Sequence, residues 1–575
     1  MIWQLADKIS TEFISANPTY HPTLLQLLYN RGFKTPEEIL EFFSDDLNVE
    51  EVGKKYDPFL FRDMDAAVDL VISHIKAGSK IMIYGDYDAD GVTATVVLYE
   101  TLKLLRGDIE YYLPDRVSEG YGLNVKAVNN FIKDGFKLII TVDTGIRSKA
   151  EVDVALAGGI DVIITDHHML PDDPADLPKC LIIDPSDEKD NYPYHYLAGV
   201  GVAFKLVEAI LMKSKLDEEQ RQIVSRKNLD LVAIGTISDL VKLSGENRLL
   251  VKKGLEVLNS TKRLGLQKLI AISGVVDGGK IDSWNVAFQI GPRLNAASRI
   301  EHANTALKLL ITKDMDEAAN IAVDLNEKNL ERQNITKEIM AEVEKQIDPS
   351  NLPPIIIGLC DFEYAAWNEG VIGLVAGRIV EKYYRPTLII THTHDGYKSS
   401  GRSIPELNLI SAMEDCAQSL DKYGGHPMAC GFSIFTKEKL DNFLVEIKKN
   451  VGQKLDGLEL SPKLNIDCVL DVMEIDRSLI SEIAKLAPYG QINPQPKFVS
   501  YGVAINDIMN MGKDNQHIKI RLGAIWALAF GKSEEYANFK IGDKVDVVYF
   551  LELNEFKGRS EPQMKIVDIK MSSQA

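Results

Sequence analysis

The sequence predicts an α/β protein in several parts: a parallel-sheet domain and a smaller α/β domain joined by a long helix, then a C-terminal OB-like β-barrel. Three observations carry this. Amphipathic helices alternate with short β-branched runs from about Tyr56. A long, largely charged helical stretch ends in a proline-rich break. The last segment reads as short strands separated by turns. At 575 residues the chain is too long for one hydrophobic core.

In order, residues 1–55 form an N-terminal lead-in with a short helix at Pro36–Phe43. Residues 56–310 form the first domain. Ile81–Tyr84, Ile109–Leu113, Leu138–Val142 and Val162–Thr165 read as buried strands, with helices near Thr93–Leu105, Val125–Asp134 and Ser148–Ala157 between them. This is the alternation of a parallel sheet with helices on both faces. A helical region from Val202 to Leu310 follows, with an apolar segment at Leu229–Ile237. Residues 311–350 are a connector: Ile335, Ile339, Val343 and Ile347 give a narrow apolar stripe on a polar helix spanning Met315–Ile347. It stops at Asp348-Pro-Ser-Asn-Leu-Pro-Pro354. Residues 351–455 hold the second α/β unit. Residues 456–575 hold five expected strands, Phe498–Asn506, His517–Leu522, Ile525–Ala529, Val545–Glu552 and Met564–Ile569, as in a small Greek-key barrel.

With 45% hydrophobic and 26% charged residues, the composition is that of a soluble globular protein. No apolar run approaches the roughly 20 residues of a membrane helix, and Met1 to Ser10 lacks the pattern of a secretory signal. Five scattered cysteines without a CxxC pair argue against a disulfide framework or a cysteine zinc site, and the cytoplasm is the expected location. The net charge of −19 counts against a nucleic-acid partner when taken alone. A carboxylate metal site, however, adds negative charge that cations neutralise.

Four motifs carry the chemistry. Tyr84-Gly-Asp-Tyr-Asp-Ala-Asp-Gly91 places Asp86, Asp88 and Asp90 between a strand and a helix, where open parallel sheets bind ligands. Its bland reading is a helix-capping Asp turn. It is not a calcium EF-hand, because Val97 stands where that loop needs Glu. A dehalogenase-type phosphatase motif over Asp88–Thr93 is the other reading. Asp143 follows the next apolar strand in Thr141-Val-Asp-Thr-Gly145, and Thr165-Asp-His-His168 follows the one after. Asp239 ends the apolar run Ala233–Ser238, where a charge is costly unless paired or metal-bound. Each position has a bland reading as a cap or turn. Their convergence on one sheet edge points to a metal site. Carboxylate and imidazole ligands suit manganese or magnesium, and zinc is compatible. Two such ions about 3.5–4 Å apart are the usual device for phosphodiester hydrolysis.

Together these motifs resemble the DHH phosphoesterase superfamily, named for a triplet that here is Asp166-His-His168. Pro114–Asn124, Glu246-Asn-Arg248, Gly291–Arg299, Trp367–Gly373, Ser400-Gly-Arg-Ser-Ile404 and Gly424-Gly-His426 are similar to the RecJ branch, and the likeness runs from about Tyr56 to Ile434. The resemblance implies a DHH domain, a DHH-associated domain and an OB-like nucleic-acid-binding domain. It implies a single-stranded-DNA-specific 5′→3′ exonuclease of DNA repair and recombination that uses two Mn2+ or Mg2+ ions. Asp88, Asp90, Asp143, His167 and Asp239 would hold the metals. Asp86 would line the site, Asp166 would orient a neighbour and His168 would meet the scissile phosphate. Arg116, Arg293, Asn295, Arg299, Ser400, Arg402, Ser403 and His426 would bind substrate, and Trp526, Phe530 and Tyr549 are either stacking surfaces or core. The chain would act as a monomer, with a single-strand-binding protein or a helicase as partner by family analogy. Three positions depart from the family pattern: Asn368, Pro427 and Glu406. Relatives that cleave short oligonucleotides, and a non-catalytic scaffold, are the alternatives. The barrel and connector weigh against the first, and the intact cluster of like charges weighs against the second.

Overall fold

Short apolar strands alternating with helices build the parallel sheet of the first of two units. The computed structural model describes residues 1–43, 55–275, 279–360, 366–556 and 559–572. One unit comprises the described residues of Lys54–Val241 and Lys253–Ser461, and the other those of Met1–Gly53, Lys242–Lys252 and Pro462–Ala575.

In the first unit, strands Lys80–Gly85, Asp108–Tyr112, Leu138–Val142, Asp161–Thr165 and Leu181–Ile183 form an all-parallel sheet, with Asp108–Tyr112 and Leu181–Ile183 at its edges. Leu138–Val142 is buried throughout, as a strand covered on both faces must be. Met82, Tyr84, Ile139, Val162 and Ile164 meet helix residues Val128, Phe131 and Val152 on one face. The edge strand Leu181–Ile183 was not expected, because three residues are too short to show a period. The helix after the first motif starts at Ala89, four residues before the expected Thr93. Asp88 caps it, its Oδ1 accepting from the N–H groups of Asp90 (2.9 Å) and Gly91 (3.1 Å).

The long helix spans Met315–Glu344. Ile339 and Val343 are buried as expected, but so are Ala318, Ala322 and Leu325 in its first half. It therefore packs along its length, against helices Leu264–Ile272, Gly291–Ile300, Asn304–Ile311 and Glu369–Tyr383. The second sheet runs in the order Lys422–His426, Ala429–Ile434, Gly396–Arg402, Thr387–Thr393, Ile356–Leu359. Only the last pair is parallel.

In the other unit, strands Phe498–Met511, His517–Leu522, Ile525–Ala529, Arg559–Met571 and Lys544–Phe556 pair in that order, and Lys544–Phe556 pairs back to Phe498–Met511, completing the ring. Residues 1–43 join this core instead of leading into the first domain; residues 44–54 of the expected lead-in lie outside the described residues. Strand Ile2–Leu5 pairs in parallel with Lys463–Ile466, and Trp3 Nε1 donates to Asp568 Oδ2 at 2.7 Å. Leu24, Leu25, Leu27 and Leu28 share one cluster with Leu470, Phe498, Ile520 and Tyr549. Arg248, in a motif carried by the resemblance, belongs here too. Its guanidinium donates to the carbonyls of Ala487 and Lys485 and lies 4.0 Å from the Phe42 ring centre. Tyr549 is fully buried and hydrogen-bonded to Ser500, which assigns it to the core.

Candidate metal centre and phosphate-binding site

The carboxyl ends of the three central strands deliver Asp86, Asp143 and His167 to one point, and the helix caps add Asp88 and Asp239. His167 Nε2 lies 3.0 Å from Asp143 Oδ1, 3.7 Å from Asp239 Oδ2 and 3.9 Å from Asp90 Oδ2. Asp90, His167 and Asp239 offer ligand atoms all within 4.8 Å of one another, as do Asp86, Asp88 and Asp143, and Asp143, His167 and His168. Asp86 Oδ1, Asp143 Oδ1 and His167 Nε2 are buried and make no hydrogen bond. Buried polar atoms are otherwise almost always paired, so three convergent orphans fit a cation.

Charge agrees with geometry. Burial, then the charge of Asp88, raises the carboxyl of Asp86 well above its ordinary range, and burial followed by the charge of Asp90 does the same for Asp143 and Asp239. Asp90 is pushed up to about 7 by burial and Asp88, opposed by two amides. Those amides are Gly199 N–H to Oδ2 (2.7 Å) and Val200 N–H to Oδ1 (2.9 Å), the first turn of helix Gly199–Lys213. Burial and the charge of His168 lower His167 to about 4, leaving a neutral imidazole with a lone pair to donate. A cluster of carboxylates around a neutral imidazole is a hard-cation site, suited to Mn2+ or Mg2+.

Asp143 has a left-handed backbone, φ 61°, and its N–H is tied to the Thr165 carbonyl at 3.0 Å. Strain of this kind persists where surrounding contacts over-determine it. Asp166 turns away from the cluster. Its Oδ2 accepts from Ile146 N–H, and its Oδ1 accepts from the His167 and His168 amides and pairs with His168 Nδ1 at 2.7 Å. Burial opposes protonation of His168, but the bond to Asp166 and its charge outweigh this and push the imidazole up to about 9. His168 is thus a cation beside the metal ligands.

Three contributors escaped the sequence reading. Tyr121 Oη lies 2.9 Å from His168 Nδ1. Asp184, buried at the end of the unexpected edge strand, repeats the pattern of an apolar run followed by Asp. Gly199 leaves no room for a side chain, since a Cβ there would sit 2.4 Å from Asp143 Cβ.

The expected phosphate-binding residues divide. Arg116 lies over the Tyr87 ring at 4.8 Å, and burial, then Arg116 and Arg332, lowers Arg299 to about 9. Arg299 Nη1 donates to the Gly370 carbonyl at 2.7 Å, linking the first domain to helix Glu369–Tyr383. Arg402 Nη1 donates to Gly401 O and to Ser400 Oγ, and His426 is exposed on an edge strand. Arg293 reaches Asn326 Oδ1 and Gln289 O. Asn295 Oδ1 accepts the Ala89 N–H at 2.7 Å, and buried Ser403 donates to the Leu407 carbonyl at 2.7 Å.

Family models match three stretches of the chain: the N-terminal domain of the DHH family over residues 80–236, the DHHA1 domain over residues 355–453, and the RecJ OB domain over residues 466–568. The chain is 37% identical to the single-stranded-DNA-specific exonuclease RecJ of Bacillus subtilis, over 100% of this chain and 71% of that protein. It is 31% identical to the Escherichia coli protein of the same name, over 96% of each. The crystal structure of RecJ in complex with Mn2+ from Thermus thermophilus superposes with a TM-score of 0.82 at 27% identity, covering 100% of this chain and 80% of that one. Its counterpart with Mg2+ gives 0.75 at 25% identity, over 100% of this chain and 79% of that one.

Proposed function

The chain belongs to the RecJ family, and from that premise we propose that it is a metal-dependent exonuclease that hydrolyses single-stranded DNA from its 5′ end. The observation that carries this is the convergence of Asp86 Oδ1, Asp143 Oδ1 and His167 Nε2, buried and unpaired, beside a cationic His168. Asp88, Asp90, Asp143, His167 and Asp239 would hold two divalent cations, with Asp143 common to two of the ligand groupings and Asp86 completing one. Bound there, the cations supply Lewis-acid polarisation of a phosphoryl oxygen and a water acidified enough to act as nucleophile at neutral pH.

The protein's own groups do the rest. Asp166 fixes the His168 ring and favours its protonated form, so that His168 would donate a hydrogen bond to the scissile phosphate. Arg299 and Arg116 balance the phosphate charge from the helical side, and Arg402 with Ser400 takes the 5′-terminal phosphate from the second sheet. In the other unit, Lys519 lies over the Trp526 ring at 4.4 Å and Lys565 over the exposed Phe530 at 5.7 Å. Aromatic faces flanked by cations are what a sequence-tolerant single-strand binder needs. A duplex end would become a substrate once a helicase or single-strand-binding protein exposes a strand, and the enzyme would act as a monomer in repair and recombination.

The test is Mn2+ with a 3′-labelled single strand, beside the same sequence as duplex and as RNA. A ladder of shortened, still-labelled products from single-stranded DNA alone is expected. Turnover confined to dinucleotides or short RNA would move the chain to oligonucleotide recycling.

A further inference from the structure

Residues 114–124 join the end of edge strand Asp108–Tyr112 to helix Val125–Lys133. This loop carries two groups toward the metal centre: Arg116, whose charge is felt by Asp86, and Tyr121, whose Oη reaches His168. Gly120 and Gly122, with φ of 80° and 94°, bracket Tyr121 in a left-handed backbone that a Cβ would strain. Between Arg116 and Tyr121 stands Glu119. Its Oε1 accepts from Tyr112 Oη at 2.7 Å and from Asn124 Nδ2 at 3.1 Å, and its Oε2 accepts from the Asp115 N–H at 2.7 Å. Tyr112 ends the strand, and Asn124 caps the helix by accepting from the Ala127 N–H. The Asp115 carbonyl in turn accepts from the Glu119 and Gly120 amides. One carboxylate thus ties both ends of the loop to its central turn. Burial, then the bond to Glu119, raises the Tyr112 phenol above its ordinary value, which keeps it a donor.

Packing does not replace these bonds. A cavity of about 550 Å³, lined by Tyr112, Ser118, Glu119, Asn124, Lys126 and Asn130, lies between the loop and the helix. Atoms that face a void have no neighbours there to hold them, and Val117 and Ser118 at the loop's tip are exposed. Tyr84 Oη donates to the Gly122 carbonyl and Ser148 Oγ accepts from the Leu123 N–H, so those two anchors sit at the helix end. The Arg116 end depends on Glu119. We propose that Glu119 is a positioning residue for strand cleavage, a latch that presents Arg116 to the substrate phosphate and Tyr121 to His168. It acts through them and does not itself meet the reacting atoms. The reaction it serves rests on the nuclease reading above, and the latch rests on the three accepted bonds and the cavity beside them.

The experiment measures steady-state hydrolysis of a 3′-labelled single strand by the full chain with Mn2+. Glu119→Gln keeps the side chain's size but leaves the Asp115 N–H facing an amide N–H. It is expected to raise KM about tenfold, the loss of one hydrogen bond to a charged group, with kcat and Mn2+ affinity within about threefold of wild type. In an Arg116→Ala background the same substitution is expected to raise KM by less than about threefold, because the latch has lost the group it places. A residue that served stability alone would give independent effects that multiply. Tyr112→Phe removes one donor from the other side of the same bond and is expected to raise KM with the same dependence on Arg116. It decides the matter if Glu119→Gln lowers the melting temperature. Wild-type KM in folded Glu119→Gln and Tyr112→Phe, or effects that multiply with Arg116→Ala, would overturn the latch. A wild-type chain that cuts no single strand would overturn the nuclease reading instead, and Kd for a phosphorothioate strand across the same variants would still decide the latch.

Discussion

Replacing Gly199 with alanine places a methyl group 2.4 Å from Asp143 Cβ and 2.5 Å from its Oδ1. Neither side can yield freely. Asp143 is held in the left-handed region and tied to Thr165, and Gly199 opens a helix whose first two amides both grip Asp90. If the helix retreats, Asp90 loses two hydrogen bonds to a charged group, each worth about 1.5–3 kcal/mol. If Asp143 moves instead, the overpacking costs about 1–3 kcal/mol. Partial relaxation of both leaves about 2–4 kcal/mol against the ligand geometry, or roughly 30- to 700-fold in Mn2+ affinity. The assay is calorimetric Mn2+ titration beside activity as a function of Mn2+ concentration. Gly201→Ala is the control on the same helix, because the nearest atom its methyl group would meet is Leu197 Cδ2, at 3.3 Å. Mn2+ affinity and activity in Gly199→Ala within threefold of Gly201→Ala would refute the claim that this helix start seats the metal carboxylates.

Metal removal should make stability depend on pH with a definite sign. Asp86, Asp90, Asp143 and Asp239 have folded-state carboxyl values raised by burial and mutual repulsion, Asp90 to about 7. A raised value contributes stability that is complete below the unfolded value and lost as pH rises through the folded one. The melting temperature of the metal-free protein is therefore expected to drop below that of the Mn2+-loaded protein by a margin that widens from about pH 5 to about pH 8; a constant or shrinking margin counts against the cluster. Trp526→Ala should weaken binding of a long single strand by about 1–3 kcal/mol, the usual loss for one stacked base, and an unchanged Kd in a fluorescence titration would remove it from the strand path. Ser403→Ala should cost about 1 kcal/mol of stability through the lost bond to Leu407 with KM unchanged; a raised KM at wild-type melting temperature would return Ser403 to the substrate.

Much of the candidate site was legible because a buried parallel strand announces itself as an apolar run, and the residue after it stands at the sheet edge where ligands bind. Asp86, Asp143 and the Asp166–His168 triplet were found in that way. Asp184 obeys the same rule but follows a strand of only three residues, below the length at which a pattern shows. The left-handed backbone of Asp143 had no local signature, since no glycine or asparagine stands there. Asn295 and Ser403 lie in motif segments, and each makes a contact that no sequence window shows, Asn295 with the Ala89 amide and Ser403 with the Leu407 carbonyl. Non-local assembly was the least legible feature. The pairing of Ile2–Leu5 with Lys463–Ile466, and the docking of Arg248 on Ala487, join residues whose separation leaves no trace in any window of sequence. In the long helix, Ala318 and Ala322 were passed over because small residues do not register as an apolar stripe.

The central claim is that the buried carboxylate–imidazole cluster is the catalytic metal centre, and Asp143, shared by two ligand groupings, is its most exposed test. The decisive measurement is hydrolysis of single-stranded DNA by Asp143→Ala across a Mn2+ series, with Mn2+ binding measured on the same protein. The account predicts a folded variant that has lost Mn2+ affinity and at least about a thousandfold in turnover, because the metals supply both the nucleophile and the charge stabilisation. Full Mn2+-dependent cleavage by that variant would contradict it.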